Sequence, residues 1–304
     1  MSAATTLPIA VNTFVWHSPL NDARLLDTVQ KIAGWGYEGI ELAFENPGDW
    51  DAEMAAELLA RHGLVSAVGA VLGPGRELAA APADVIASTN HYLRTAIDVA
   101  QTQGSGLVIG PMYTSVGRTG RLDAEARRSA VAELRESWAR LGDYAGERGV
   151  RLAIEPLNRY ETSLFNTTEQ LLEAIDPLPA ETIGLNLDTY HMNIEETSLA
   201  AAFDLAGERL LHLQVCGNDR GVPLRDHQDW TGIRDDLVRI GYTGMLGFES
   251  FTADNASIAT AASIWRPFAP TQDDLARDTL DELRTWRAGW PGGGAPRAET
   301  GRPG

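Results

Sequence analysis

Eight short apolar runs, each followed by a longer amphipathic stretch, recur from residue 8 to about residue 290. The runs are 8–16 (PIAVNTFVW), 37–44 (YEGIELAF), 65–72 (VSAVGAVL), 106–113 (GLVIGPMY), 151–157 (RLAIEPL), 182–188 (TIGLNLD), 210–216 (LLHLQVC) and 244–250 (GMLGFES). Their near-continuous apolarity, in place of strict alternation, predicts strands buried on both faces of a parallel sheet. The intervening stretches carry helical spacing. In 122–148, Val131, Leu134, Trp138 and Leu141 form one stripe opposite Arg and Glu. Thr167 and Gln170 read as a capping box ahead of LLEAI. Gly36, Gly63, Gly104, Gly149 and Gly241 stand where helix C-cap glycines belong, just before strands. Eight strand–helix units in a 304-residue chain predict one α/β domain over 1–290, a (β/α)8 TIM barrel. A doubly wound open sheet is the alternative, but no strand is followed by G-x-G-x-x-G. The tail 291–304 is rich in Gly and Pro, lacks periodicity, and reads as disordered.

Composition narrows the chemistry. The net charge of −17 is unsuited to a duplex-binding protein, so no nucleic-acid partner is expected. No apolar run approaches the ~20 residues that span a bilayer, and the N-terminus has no signal-peptide pattern, so the expected place is the cytoplasm. The single cysteine, Cys216, excludes an intrachain disulfide and a zinc site built from several thiolates. The single lysine, Lys31, falls in the helical stretch LLDTVQKIAGWG and is expected to face solvent, which argues against Schiff-base catalysis.

In such a barrel, polar residues at C-terminal strand ends face the active-site mouth. The last four strands place Glu155, Asp188, Gln214 and Glu249 there. One such residue alone could be an ion-pair member. Four on consecutive strands point to a shared divalent cation, which would relieve the cost of burying them. Three carboxylates and an amide oxygen suit Mn²⁺ or Mg²⁺ and admit Co²⁺. His212 lies two residues before Gln214 on the same face, either as a second layer behind the ligands or as a satisfied core histidine. His17 and His191 follow strands and could line the mouth; His62 and His91 sit in helical stretches, and His227 in a loop. Trp16 and Tyr113, at other strand ends, read equally as pocket walls or barrel packing.

The segments VNTFVW, GPMYTSVGR, IEPLNRYETSLFNT, IGLNLDTYHMNIEE, GNDRG, GYTGMLGFESF and IWR (264–266) run from about 10 to 285. Through them the chain resembles the ketose 3-epimerases (the D-tagatose/D-allulose 3-epimerase group) of the xylose-isomerase-like TIM barrels. The resemblance implies that Glu155 and Glu249 are both metal ligands and acid/base catalysts, and that Asp188 is a ligand. It implies sugar contacts by Glu161, His191 and Arg220, a small-molecule sugar substrate, Mn²⁺ as the first choice of metal, and a homo-oligomer (dimer or tetramer). The implied reaction inverts C3 of a free ketose through a cis-enediolate. The chain departs from that family where Gln214 replaces its usual histidine, and where Leu224-Arg225-Asp226 replaces its usual G-x-G. A glutamine at this position is typical of hydroxypyruvate-isomerase-like barrels. An aldose–ketose or hydroxypyruvate-type isomerase is therefore one alternative, a lyase acting on 3-keto-glycosides another, and a non-catalytic sugar-binding barrel a third.

Overall fold

A computed structural model describes residues 7–290. Residues 1–6 and the expected tail 291–304 lie outside the described residues. Eight parallel strands close into a barrel in chain order. They are β1 (Ile9–Asn12), β2 (Gly39–Phe44), β3 (Val65–Ala70), β4 (Leu107–Gly110), β5 (Arg151–Ile154), β6 (Ile183–Asp188), β7 (Leu210–Val215) and β8 (Leu246–Phe248). The α/β TIM-barrel expectation holds. The strands are shorter than their apolar runs because each chain leaves the ladder at the mouth. After β1, for instance, the Asn12 side chain accepts the N–H of Phe14 and turns Thr13–Val15 into a 3₁₀ helix. After β5, Glu155 precedes Pro156, which has no N–H for the ladder.

Strand parity sorts the interior. Ile9, Val11, Ile40, Leu42, Leu152, Ile154, Leu185 and Leu187 face outward and pack under the helices. The alternate residues Ala10, Ala67, Leu107, Ile109, Ala153, Leu211 and Met245 form a separate apolar plug inside the barrel. Above that plug, the same inward parity delivers polar residues. The register of β6 on β7 shifts between Leu185 and Asn186, so that Asn186 stands beside His212 and Asp188 beside Gln214. A one-residue irregularity of this kind re-aims side chains.

Helices wrap the barrel, and three of the five expected glycine caps hold; the other two helices are capped by Glu147 and Ile240, with Gly149 and Gly241 left-handed just beyond. Gly36, Gly63 and Gly104 are left-handed C-caps. The Thr167 hydroxyl accepts the N–H of Gln170, whereas the Gln170 side chain accepts from Asn166, one residue earlier than a simple capping box would have it. Two short helices interrupt the regular alternation at the mouth, Thr189–Glu195 after β6 and Ala256–Ala261 after β8. No helix among the described residues is long and apolar enough to cross a membrane. Lys31 lies on the outer helix Asp22–Trp35, paired with Asp27 and Asp273 rather than free in solvent, and far from any role in the barrel.

On the helix Ala124–Gly146, Leu134, Trp138 and Leu141 are buried, with Val131 half-buried at the edge of the stripe. Trp138 is wholly buried, donates its indole N–H to the Met112 carbonyl at 2.7 Å and packs on Phe165. It thereby ties the loops after β4 and β5 to the outer layer. Trp138→Ala is expected to lower the unfolding free energy by about 3–5 kcal/mol, measured by urea denaturation with an unchanged far-UV spectrum at low denaturant.

Candidate active site

Inward parity selects the site. On β5 it runs Ala153, Glu155; on β6 Asn186, Asp188; on β7 His212, Gln214; on β8 Gly247, Glu249. Glu155, Asp188, Gln214 and Glu249 are all buried at the mouth. The loop after β5 folds back through bonds from Asn166 to the carbonyls of Leu157 and Thr162, and brings Asn158 and Glu161 over them. Asn158 donates its amide N–H to Glu161 Oε1 at 2.8 Å, and its backbone N–H to His191 Nδ1 at 3.1 Å. Asp188 caps the short helix that carries His191, accepting the N–H of Tyr190.

Arg220 is the electrostatic centre. Its Nη1 bonds Asp188 Oδ2 and, at 2.9 Å, Glu249 Oε2, while Nη2 lies 3.2 Å from His191 Nε2. The rings of Tyr190 and Phe251 flank the guanidinium at 4.1 and 5.2 Å. Its backbone is left-handed (φ 71°), held by a bond to the Gly217 carbonyl and by the Ser250 hydroxyl on its own carbonyl. Such a conformation in a non-glycine residue has to be fastened by its surroundings.

A cavity of about 110 Å³ opens above these groups. Glu155, Glu161, His191, Arg220 and Glu249 form its polar end. Phe14, Val71, Pro111, Val116, Phe251 and Ile258 wall the remainder. Burial, joined by the charges of Glu249 and Asp188, pushes the Glu155 carboxyl well above its usual range. Glu249 is raised to about 8 by burial, against the pull of Arg220 and with Asp188 and Glu41 adding to the rise. Burial lowers the pKa of His191, so the ring is biased toward its neutral form. Nδ1 accepts the Asn158 backbone N–H, and Nε2 faces the Nη2 donor of Arg220 at 3.2 Å.

One guanidinium does not balance Glu155, Asp188 and Glu249 when all three are ionised, and a bound cation in place of the protons on Glu155 and Glu249 fits that shortfall. Ligand atoms of Glu155, Asp188 and His191 lie within 4.8 Å of one another, close enough to hold a metal ion.

The family profile described as the xylose isomerase-like TIM barrel matches residues 29–285. The chain belongs to that family. Within it, the chain is similar to the L-ribulose 3-epimerase of Methylomonas sp. (strain DH-1), at 29% identity over 276 residues, 90% of this chain and 95% of that one. A probable ketose 3-epimerase of Synechocystis sp. is 28% identical over 286 residues, 93% of this chain and 98% of that one. A solved structure of D-allulose 3-epimerase from Methylomonas sp. in complex with D-allulose shares 28% identity and a TM-score of 0.84, covering 94% of this chain and 99% of that one.

Not every expected site residue of this xylose isomerase-like barrel reaches the cavity. Trp16 lies outside it: its indole N–H donates to Asp273 at 2.9 Å and its ring packs on Trp35. The 3₁₀ turn after β1 explains this, since it sends Phe14 inward instead. Tyr113 is fully buried edge-on to Phe165, behind the wall rather than in it. His17 is not among the lining residues, and His227 is exposed. Leu224-Arg225-Asp226 is fastened without glycines: Arg225 pairs with Asp278 and Glu282, and Asp226 accepts from Asn218 and Trp230.

The Gln214 amide is also turned otherwise than expected. Its Nε2 donates to Glu249 Oε1 at 2.9 Å and Glu41 Oε2 at 3.0 Å, and its Oε1 accepts from Asn186 at 2.8 Å. His212 Nε2 stands 2.7 Å from Glu41 Oε1, which puts it directly behind Gln214. Glu41, Asn12 and Asn186 were not singled out in the sequence. The available signal was a polar residue at inward parity inside an apolar run, as in GIELAF, IAVN and IGLNLD.

The raised Glu249 value has a consequence for stability. Between the ordinary carboxyl value of 4.5 and about 8, the folded protein retains a proton that the unfolded chain has released. Stability of the metal-free protein therefore falls as pH rises through that window. The thermal midpoint is expected to drop steadily from pH 5 to pH 8, and Glu249→Gln to flatten the slope; a midpoint that rises with pH would contradict this.

Proposed function

We propose that this protein is a metal-dependent ketose 3-epimerase acting on a free ketose. The observation that carries the reading is a pair of buried glutamates, Glu155 from β5 and Glu249 from β8, at the floor of one cavity. Both are shifted toward holding a proton. Inverting a stereocentre requires a proton to leave one face of a planar intermediate and another to arrive on the opposite face. Two carboxyl groups on strands separated by β6 and β7 suit that task. The similarity to named 3-epimerases over nine-tenths of the chain supports the same reading.

Glu155, Asp188 and Glu249 would hold the cation, with Mn²⁺ the first choice for an oxygen-rich site. When bound, it supplies Lewis-acid polarisation of the carbonyl next to the carbon that loses its proton. Arg220 keeps a fixed positive charge beside Asp188 and Glu249, where negative charge on a nearby substrate oxygen is stabilised. His191 presents its Nε2 edge to the sugar beside Arg220, with the ring held by Asn158. Glu161, oriented by the Asn158 amide, accepts from a hydroxyl. Phe14, Val71, Pro111 and Phe251 exclude water from the reacting face. The presence of Gln214 favours one second reading, hydrogen transfer between C1 and C2.

The Mn²⁺-loaded protein, incubated in heavy water with D-fructose, D-tagatose, D-psicose or L-ribulose, is expected to place deuterium at C3 of at least one of them. Label at C1 or C2 instead would select the isomerase reading, and no label in any sugar would reject both. Glu155→Gln and Glu249→Gln are each expected to slow exchange by about 10²-fold or more.

A further inference from the structure

We propose that Gln214 is a hydrogen-bond donor that pins one oxygen of Glu249, and that Glu41 is the positioning residue that holds Gln214 in that orientation. The inference rests on the reading of Glu249 as a proton carrier, and it replaces the expectation that Gln214 ligates a metal.

The orientation follows from what surrounds the amide. One edge of Gln214 faces two carboxylate oxygens, Glu249 Oε1 at 2.9 Å and Glu41 Oε2 at 3.0 Å. Glu41 Oε2 already accepts the Asn12 amide N–H and meets this edge as an acceptor, so this edge has to be the NH₂ group. Turned over, the amide oxygen would meet Glu41 Oε2, an oxygen that already accepts from Asn12; Asn186, whose Oδ1 has no partner, bonds Gln214 Oε1 at 2.8 Å but would turn with it and does not set the direction. Asn12 fixes the same frame independently. Its Oδ1 accepts the backbone N–H of Phe14, which cannot be reversed, so its Nδ2 has to be the donor to Glu41 Oε2 at 2.8 Å.

Glu41 is thus gripped by Asn12, Gln214 and His212, is fully buried, and does not line the cavity. The space it occupies exists because residue 247 is glycine: a Cβ there would lie 1.5 Å from Glu41 Oε1 and 2.9 Å from His212 Nε2. The outcome is a division of labour on Glu249. Oε1 is held by the Gln214 amide, with Asn12 Nδ2 at 3.4 Å, and Oε2 faces Arg220. A proton-transferring carboxylate with one oxygen tethered presents the other in a single direction, which is the positional accuracy such transfer requires. The oxygen of Gln214, bound to Asn186, is turned away from that task.

Two measurements test this. First, Mn²⁺ is titrated calorimetrically into metal-free wild type, Gln214→Met and Glu41→Gln. The donor role predicts that Gln214→Met weakens Kd no more than Glu41→Gln does, each by about tenfold, while a loss in Gln214→Met far beyond that of Glu41→Gln would show that Gln214 is a ligand and overturn the proposal. Second, C3 exchange is measured for Glu41→Gln, Gln214→Met and the double variant. Glu41→Gln is expected to lower kcat about tenfold or more with little change in KM in the wild-type background, and to have almost no further effect beside Gln214→Met. Equal, multiplying losses in both backgrounds would mean that Glu41 does not act through Gln214. If Glu41→Gln fails to fold, Asn186→Leu, which releases the amide from its other side, is expected to show the same loss of kcat and the same non-additivity with Gln214→Met. The titration needs no substrate, so a wild type inert toward every ketose would reject the proposed reaction without deciding the role of Gln214.

Discussion

The ion pairs of Arg220 with Asp188 and Glu249 are the interaction on which the mouth of this barrel depends. Three carboxylates converge at the ends of β5, β6 and β8, and a closed parallel barrel gives them little solvent. Without a buried positive charge their mutual repulsion and desolvation would each cost several kcal/mol. The molecule accordingly invests in holding one arginine still. Its backbone is fastened in a left-handed turn, Tyr190 and Phe251 flank its guanidinium, and Ser250 grips its carbonyl. Even so, burial first and the neighbouring carboxylates second push Glu155 and Glu249 toward holding protons, a load that a bound cation would take over.

Beneath that charged layer lies a second polar layer with a different purpose. Asn12, Glu41, Asn186 and His212 do not line the cavity. They bond to one another and to Gln214, between the apolar plug below and the reacting groups above. A network buried this deeply is stabilising only when its donors and acceptors match. Around Glu41 and Gln214 they match, while Asn186 Oδ1 and His212 Nδ1 have no partner, and the matched bonds convert backbone geometry into side-chain orientation: a 3₁₀ turn fixes Asn12, Asn12 and His212 fix Glu41, and Glu41 fixes Gln214.

Much of this was legible along the chain. The eight apolar runs and the glycines that close the helices encode the barrel, because each strand is buried on both faces and each helix has to stop before it. Glu155, Asp188 and Glu249 stood out because charged residues are costly inside apolar runs. Trp16 misled for a local reason: its run reads as one strand, but Asn12 ends the ladder early and rotates the residues that follow. Glu41 was overlooked because a single glutamate in GIELAF looks no different from a half-exposed strand residue until closure of the barrel removes its solvent.

The sequence by itself determined the architecture and the acidic character of the mouth, since both follow from apolar periodicity and the residues that interrupt it. Only the tertiary structure decided which atoms of those residues face one another. Gln214 is the clearest case. Its position was readable from the strand, but whether it shows oxygen or nitrogen to Glu249 depends on Glu41, 173 residues away along the chain. Hydrogen-bond direction is set by the partners that closure brings together, and linear spacing carries no record of it.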